Sequence, residues 1–204
     1  MRKWLGTACC LSAVALASGC SGTGDGDGGH TAMTVSPTAA SRPSVSVSVK
    51  PMPTQSNQGR KAVSFDPCVQ VGDATIAKSG FDPALRERSD QIRDSYSFVG
   101  CSFGHKESVN GQMLTVRTLT VWSTNITLDE FRSRDGANTS AIEVNGKDAL
   151  ISRTSADQSC SVETAGPDGA LVVRNSVAGP LTSQNPCDGI QDVADVVDLA
   201  VAGK

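Results

Sequence analysis

Four cysteines, Cys68, Cys101, Cys160 and Cys187, carry the plainest chemistry in this chain. An even count in an exported domain reads as two disulfides, for which sequence alone leaves three connectivities. Cys68–Cys101 and Cys160–Cys187 are favoured, because each would tie a helix start (Pro67-Cys68, Pro186-Cys187) to a strand. Each would close a loop of about 30 residues, which the chain-entropy model values at roughly 3–4 kcal/mol. No pair has the close C-x-x-C spacing of zinc sites or redox dithiols, so neither a metal centre nor a thiol catalyst is expected.

Cys20 sits in a different setting. Arg2 and Lys3 open the chain, an apolar run of about 14 residues follows from Trp4 to Ala17, and Leu16-Ala17-Ser18-Gly19-Cys20 closes it. This reads as a bacterial lipoprotein signal, with small residues admitting a peptidase just before Cys20. The run falls short of the ~20 residues that a spanning helix needs. Lipid on Cys20 would supply the anchor instead, each buried methylene contributing ~0.8 kcal/mol. Cys9 and Cys10 would leave with the signal. The expected location is the outer face of the cell membrane, with the membrane itself the first partner.

Other residues able to do chemistry are few. His30 and His105 are the only histidines; His105 falls in a polar stretch read as a loop. No Gly-x-Ser-x-Gly elbow accompanies it, and a solvated loop histidine is the plainer reading. Carboxylates are common, and their separation is invisible in sequence. Asn125 and Asn138 match a glycosylation sequon by chance. Trp122 and Phe131 read as core, with ligand stacking an alternative for Trp122. Asp25-Gly26-Asp27-Gly28 lacks the closing Glu of a calcium loop. No enzyme and no cofactor is expected. The formal charge is −3, and residues 61–204 carry 13 Lys/Arg against 19 Asp/Glu. A chain with this balance has no basic patch to release counterions from nucleic acid, which excludes that partner.

These residues need elements to hold them. Residues 1–19 are expected to be the signal peptide, 20–61 a Ser/Pro/Gly-rich disordered tether, and 62–204 the folded domain. The tether alternates Ser with Val from Ser44 to Val49 and carries Pro37, Pro43, Pro51 and Pro53. That composition buries too little apolar surface to offset its ordering entropy. About 40 such residues would reach on the order of 35 Å. In the domain, Asp66-Pro67 predicts a helix start, with Ile76 and Ala77 inward and Gly80 ending the segment. Phe81-Asp82-Pro83 repeats the cue for a turn through Arg88. Tyr96–Phe103 and Met113–Trp122 predict strands, joined by a hairpin at Asn110-Gly111. Thr127 and Glu130 form a capping box before a helix that carries Phe131 and stops at Asp135-Gly136.

Ile142–Val144, Ala149–Arg153, Ser159–Thr164 and Ala170–Val177 predict four more strands, with Asn145-Gly146 and Gly166-Pro167-Asp168-Gly169 as turns. Asn185-Pro186 then caps a terminal helix, whose Ile190, Val193, Val197 and Val201 recur at helical spacing. Asp188, Asp192, Asp195 and Asp198 are expected on its solvated face. The fold class that follows is α+β: an antiparallel sheet with short helices packed on one face, two disulfides, and a disordered tether before it.

The lipobox, the Ser/Pro tether, Asp66-Pro67-Cys68, Cys101-Ser102-Phe103, Ser159-Cys160-Ser161-Val162 and Asn185-Pro186-Cys187 together resemble an actinobacterial lipoprotein family, domain of unknown function 3558. The resemblance covers about residues 62–202, and Phe103 stands where members usually show Trp. It implies an envelope lipoprotein of a high-GC Gram-positive bacterium and brings no activity with it. A more distant likeness, in disulfides and layout, is to the extracellular sensor domains of mycobacterial Ser/Thr kinases. Since fold does not fix function, that is an analogy. The leading expectation is a tethered domain that binds or senses a small-molecule ligand or an envelope protein. A structural or assembly role at the wall is the alternative, and an envelope hydrolase the last.

Overall fold

The computed structural model describes residues 43–156 and 158–202. Cys20, the signal and the first half of the expected tether lie outside them. Asp66 accepts from the Cys68 N–H through Oδ1 at 3.0 Å, and Pro67 takes the first position of α1, Pro67–Gln70. A break at Val71-Gly72 separates it from α2, Asp73–Lys78, which buries Ile76 and leaves Ala77 exposed. Asp82 then caps a single 3-10 turn, Pro83–Leu85. The chain next makes two short strands, β1 at Glu87–Arg88 and β2 at Gln91–Ile92.

Both pair with β3, Ser97–Val109, which forms the predicted hairpin with β4, Gln112–Thr124. Asn110 and Gly111 take φ of 51° and 80°, the left-handed pair that a tight hairpin turn requires. The strands run well past the predicted ends. His105 therefore lies within β3 rather than in a loop, because the polar stretch to Val109 is a hairpin arm with solvent on both sides.

Thr127 and Glu130 satisfy each other's backbone N–H groups at the start of α3, Leu128–Asp135. A meander follows: β5 Thr139–Val144, β6 Lys147–Thr154, β7 Ser159–Ala165 and β8 Ala170–Val177. β8 returns to pair with β4, giving one antiparallel eight-stranded sheet in the order β1-β3-β4-β8-β7-β6-β5, with β2 beside β1 on β3. The α+β class is as expected from sequence. α4, Ile190–Ala202, begins later than predicted. Asn185 caps only a turn, accepting from the Cys187 N–H, and Gly189 at φ 69° separates that turn from the helix.

Each face of the sheet has its own core. On one, Cys101, Phe103, Leu119, Val121, Val162 and Val173 meet α1, α2 and α4 through Cys68, Ile76, Ile190 and Val197. On the other, Trp122, Leu150 and Val172 meet α3 through Phe131. The helices are thus divided, three on one face and α3 on the other. Both favoured disulfides are present: Cys68–Cys101 pins α1 to β3, and Cys160–Cys187 pins β7 to the turn before α4, each with Cα atoms 5.1 Å apart.

Two further expectations are corrected. Asp198 is not on a solvated face: it is 3 % exposed, and its carboxylate accepts from Lys147 Nζ at 2.8 Å and Asn145 Nδ2 at 2.9 Å. The β5–β6 turn folds over the helix and supplies both donors. Residues 43–61 are not a free part of the tether; they form a strap along the domain. Val45, Val47 and Val49 are half-buried while the serines between them are exposed. Ser44 O and Ser46 N both bond Asp73, at 2.9 and 2.7 Å, and Lys50 O accepts from Arg88. Further on, Asn57 is buried and accepts from Ser97 Oγ, and Arg60 makes a bidentate pair with Glu130 on α3. The composition argument failed because these partners come from the domain and not from the strap itself.

Candidate functional site

The sheet face under α3 carries the best-formed concentration of polar side chains. Register places Trp122, Val172, Glu163 and Leu150 in one row across β4, β8, β7 and β6. The next row brings Thr120, Arg174, Ser161 and Ser152 together. Alternation along each strand sends these groups to the opposite face from the larger core.

Aromatic contacts set how closely α3 approaches. Phe98 lies edge-on to Trp122 at 6.0 Å and to Phe131 at 6.3 Å, and Tyr96 lies against Phe98 at 5.9 Å. Trp122 Nε1 donates to Ser89 O at 2.5 Å, which fixes the indole across the sheet. Gly100 makes room for it: a Cβ there would fall 2.0 Å from Val121 O and 2.9 Å from the indole ring. A cleft of about 220 Å³ remains, lined among others by Gln91, Arg134, Asp135, Ser152, Ser161 and Glu163.

Charge in this cleft is balanced internally. Arg134 Nε and Nη2 donate to Asp135 at 2.9 and 2.6 Å, and the guanidinium lies 4.9 Å over the Phe131 ring. Arg174 is engaged within the protein too. Glu163 is 4 % exposed, with Oε1 accepting from Ser152 Oγ at 3.3 Å and Oε2 without a hydrogen-bond partner among the described residues. Burial pushes its carboxyl above the usual carboxylate range, against hydrogen bonds from Ser161 and Ser152, and the charge of Asp135 pushes the same way. The site therefore holds a carboxyl that keeps its proton to higher pH than an exposed one. Arg134 also borders a second cavity of about 330 Å³ with Arg60, Tyr96 and Glu130. There Arg60 and the Thr127 cap hold Glu130 down at about 2.

The residues singled out from sequence fall elsewhere, Trp122 and Phe131 excepted. The four cysteines of the domain are in disulfides. His105 is held between Gly80 O at 2.8 Å and Glu107 Oε1 at 3.2 Å, with Phe81 against its ring. No hydroxyl or thiol nucleophile is among those partners. Among the described residues, no group of three or more His, Cys, Asp or Glu side chains could hold a metal ion, and no helix is long and apolar enough to cross a membrane. Glu163, Ser152, Ser161, Arg134 and Arg174 were missed. The available signal was a Glu two residues from Ser161 in a predicted strand, which puts both on one face.

A family model described as "Protein of unknown function (DUF3558)" matches residues 15–198. No curated protein and no solved structure matches the chain.

Proposed function

We propose the following for a chain that belongs to the DUF3558 family of proteins of unknown function: it is an envelope lipoprotein of an actinobacterium that binds a ligand in the cleft between α3 and the sheet. The lipobox ending at Cys20 supports the anchor, and the domain stands on the outer face of the membrane. The observation that carries the binding reading is Glu163. A carboxyl 96 % buried on a sheet face, with one oxygen lacking a protein partner, costs stability unless another molecule or a function compensates. It lies in a concave site with converging polar groups, the usual form of a binding pocket.

The test is native mass spectrometry of the full chain, extracted in mild detergent from an actinobacterial host. The expected result is extra mass that leaves on denaturation and is missing from a Ser161→Phe variant, which fills the cleft while keeping wild-type circular dichroism. A bare wild-type chain that also captures nothing from host extract would overturn the reading. For the anchor, Cys20→Ser should move the chain from the detergent phase to the aqueous phase in a cloud-point partition. Unchanged partition would count against lipid on Cys20.

A further inference from the structure

The cleft also indicates what kind of molecule it takes, an inference that rests on the binding reading above. Arg134 is neutralised by Asp135 through paired hydrogen bonds, and Arg174 is engaged inside the protein. Glu163 is 4 % exposed, and burial opposes a charge on it. A charged ligand would shed its water to enter a site whose charged groups are already engaged or buried. A hydroxyl loses far less and recovers it by both donating and accepting.

Groups able to do both line one side of the cleft. Ser152 and Ser161 face each other across β6 and β7 with their Oγ atoms 3.0 Å apart, and Thr154 stands two residues along β6 on the same face. Gln91 and the carboxyl of Glu163 add further polar atoms to the same lining. A volume of about 220 Å³ lies below the usual range of ligand pockets and leaves room for one ring. Beyond Arg134, the second cavity gives a following ring a place beside Tyr96. From this geometry we infer that the cleft binds an uncharged saccharide, one ring set against the contiguous Glu163, Ser152 and Ser161 side chains and the chain continuing past Arg134.

Saturation-transfer NMR on the full chain in detergent tests this with matched probes: glucose, galactose, mannose and arabinose as neutral sugars, glucosamine as the cation, glucuronate as the anion and glycine as the zwitterion. At least one neutral sugar should bind at least tenfold more tightly than every charged probe. Glu163→Ala should weaken it about tenfold, while Glu163→Gln, which preserves a neutral donor and acceptor, should stay within about threefold. A free sugar and a wall glycan are distinguished by co-sedimentation with isolated cell-wall polysaccharide, competed by the neutral sugar that binds.

Three outcomes overturn the saccharide. No neutral sugar is saturated, or a charged probe binds as tightly as the best neutral one, or Glu163→Gln loses as much as Glu163→Ala. If native mass spectrometry still finds a ligand, only the ligand class fails. If the chain is also bare, the binding reading fails with it.

Discussion

Asp168 ties the segment before α1 to the sheet. From the β7–β8 turn it accepts from Ser64 Oγ at 2.7 Å, Phe65 N at 2.8 Å and Ser123 Oγ at 2.9 Å. Burial pushes its carboxyl up, yet these donors outweigh burial and hold it below the usual range. A lowered folded value means its contribution is complete above the unfolded value near 3.9 and is lost as pH falls through the folded one. Asp168→Ala should cost about 1–3 kcal/mol at pH 7, read by urea denaturation, with the deficit shrinking toward pH 2.

Glu163 has the opposite sign. The folded chain keeps its proton to higher pH than the unfolded chain does, so stability falls as pH rises above the ordinary carboxylate range. Glu163→Gln should therefore unfold at higher urea than wild type at pH 7 and match it below about pH 4. The caps and cysteines were legible because each acts within a few residues or by pairing among an even number of thiols. Glu163 was not, since its burial depends on α3 arriving from some 30 residues earlier in sequence.

At the scale of elements, the strap shows two grades of attachment. Asn57 is buried, with its amide between Gln55 and Ser97. Asn57→Ala would strand the Ser97 hydroxyl and should cost about 1–3 kcal/mol. Arg60 and Glu130 are each roughly 40 % exposed, so Arg60→Ala should cost less than about 1 kcal/mol, less still at high salt. Parallel urea curves would separate the two. If Asn57→Ala costs no more than Arg60→Ala, the strap is only loosely attached.

The hairpins and α3 were legible through turn and capping chemistry. The strap was not, because Ser, Pro and Val supply no partners to one another. What holds the strap is Asp73 and Arg88, and Asp73 is itself tied to the buried Arg86 at 2.7 Å. Arg86 in turn donates to Cys68 O and Val71 O and lies 4.8 Å over Phe103. No periodicity in sequence announces an arginine buried in this way.

Across the whole molecule, the sheet is two locally wound halves. β1 to β4 form the first and β5 to β8 the second, joined where β4 meets β8 from Arg117↔Val177 to Thr124↔Ala170. Each half has its own disulfide, and neither bond crosses the seam. Replacing both Cys160 and Cys187 by Ser should cost roughly 3–4 kcal/mol. Cys68–Cys101 should remain oxidised, at a mass two hydrogens below its reduced form. Loss of both bonds would mean that the halves depend on each other for oxidation.

That arrangement bears on how the chain would mature along the export route proposed above. Each thiol's partner emerges within about 35 residues of it, so the first pair can oxidise while the second is still crossing the membrane, and shorter loops close at lower entropic cost than mispaired ones. Seam closure is left as a separate docking event between halves that are already crosslinked.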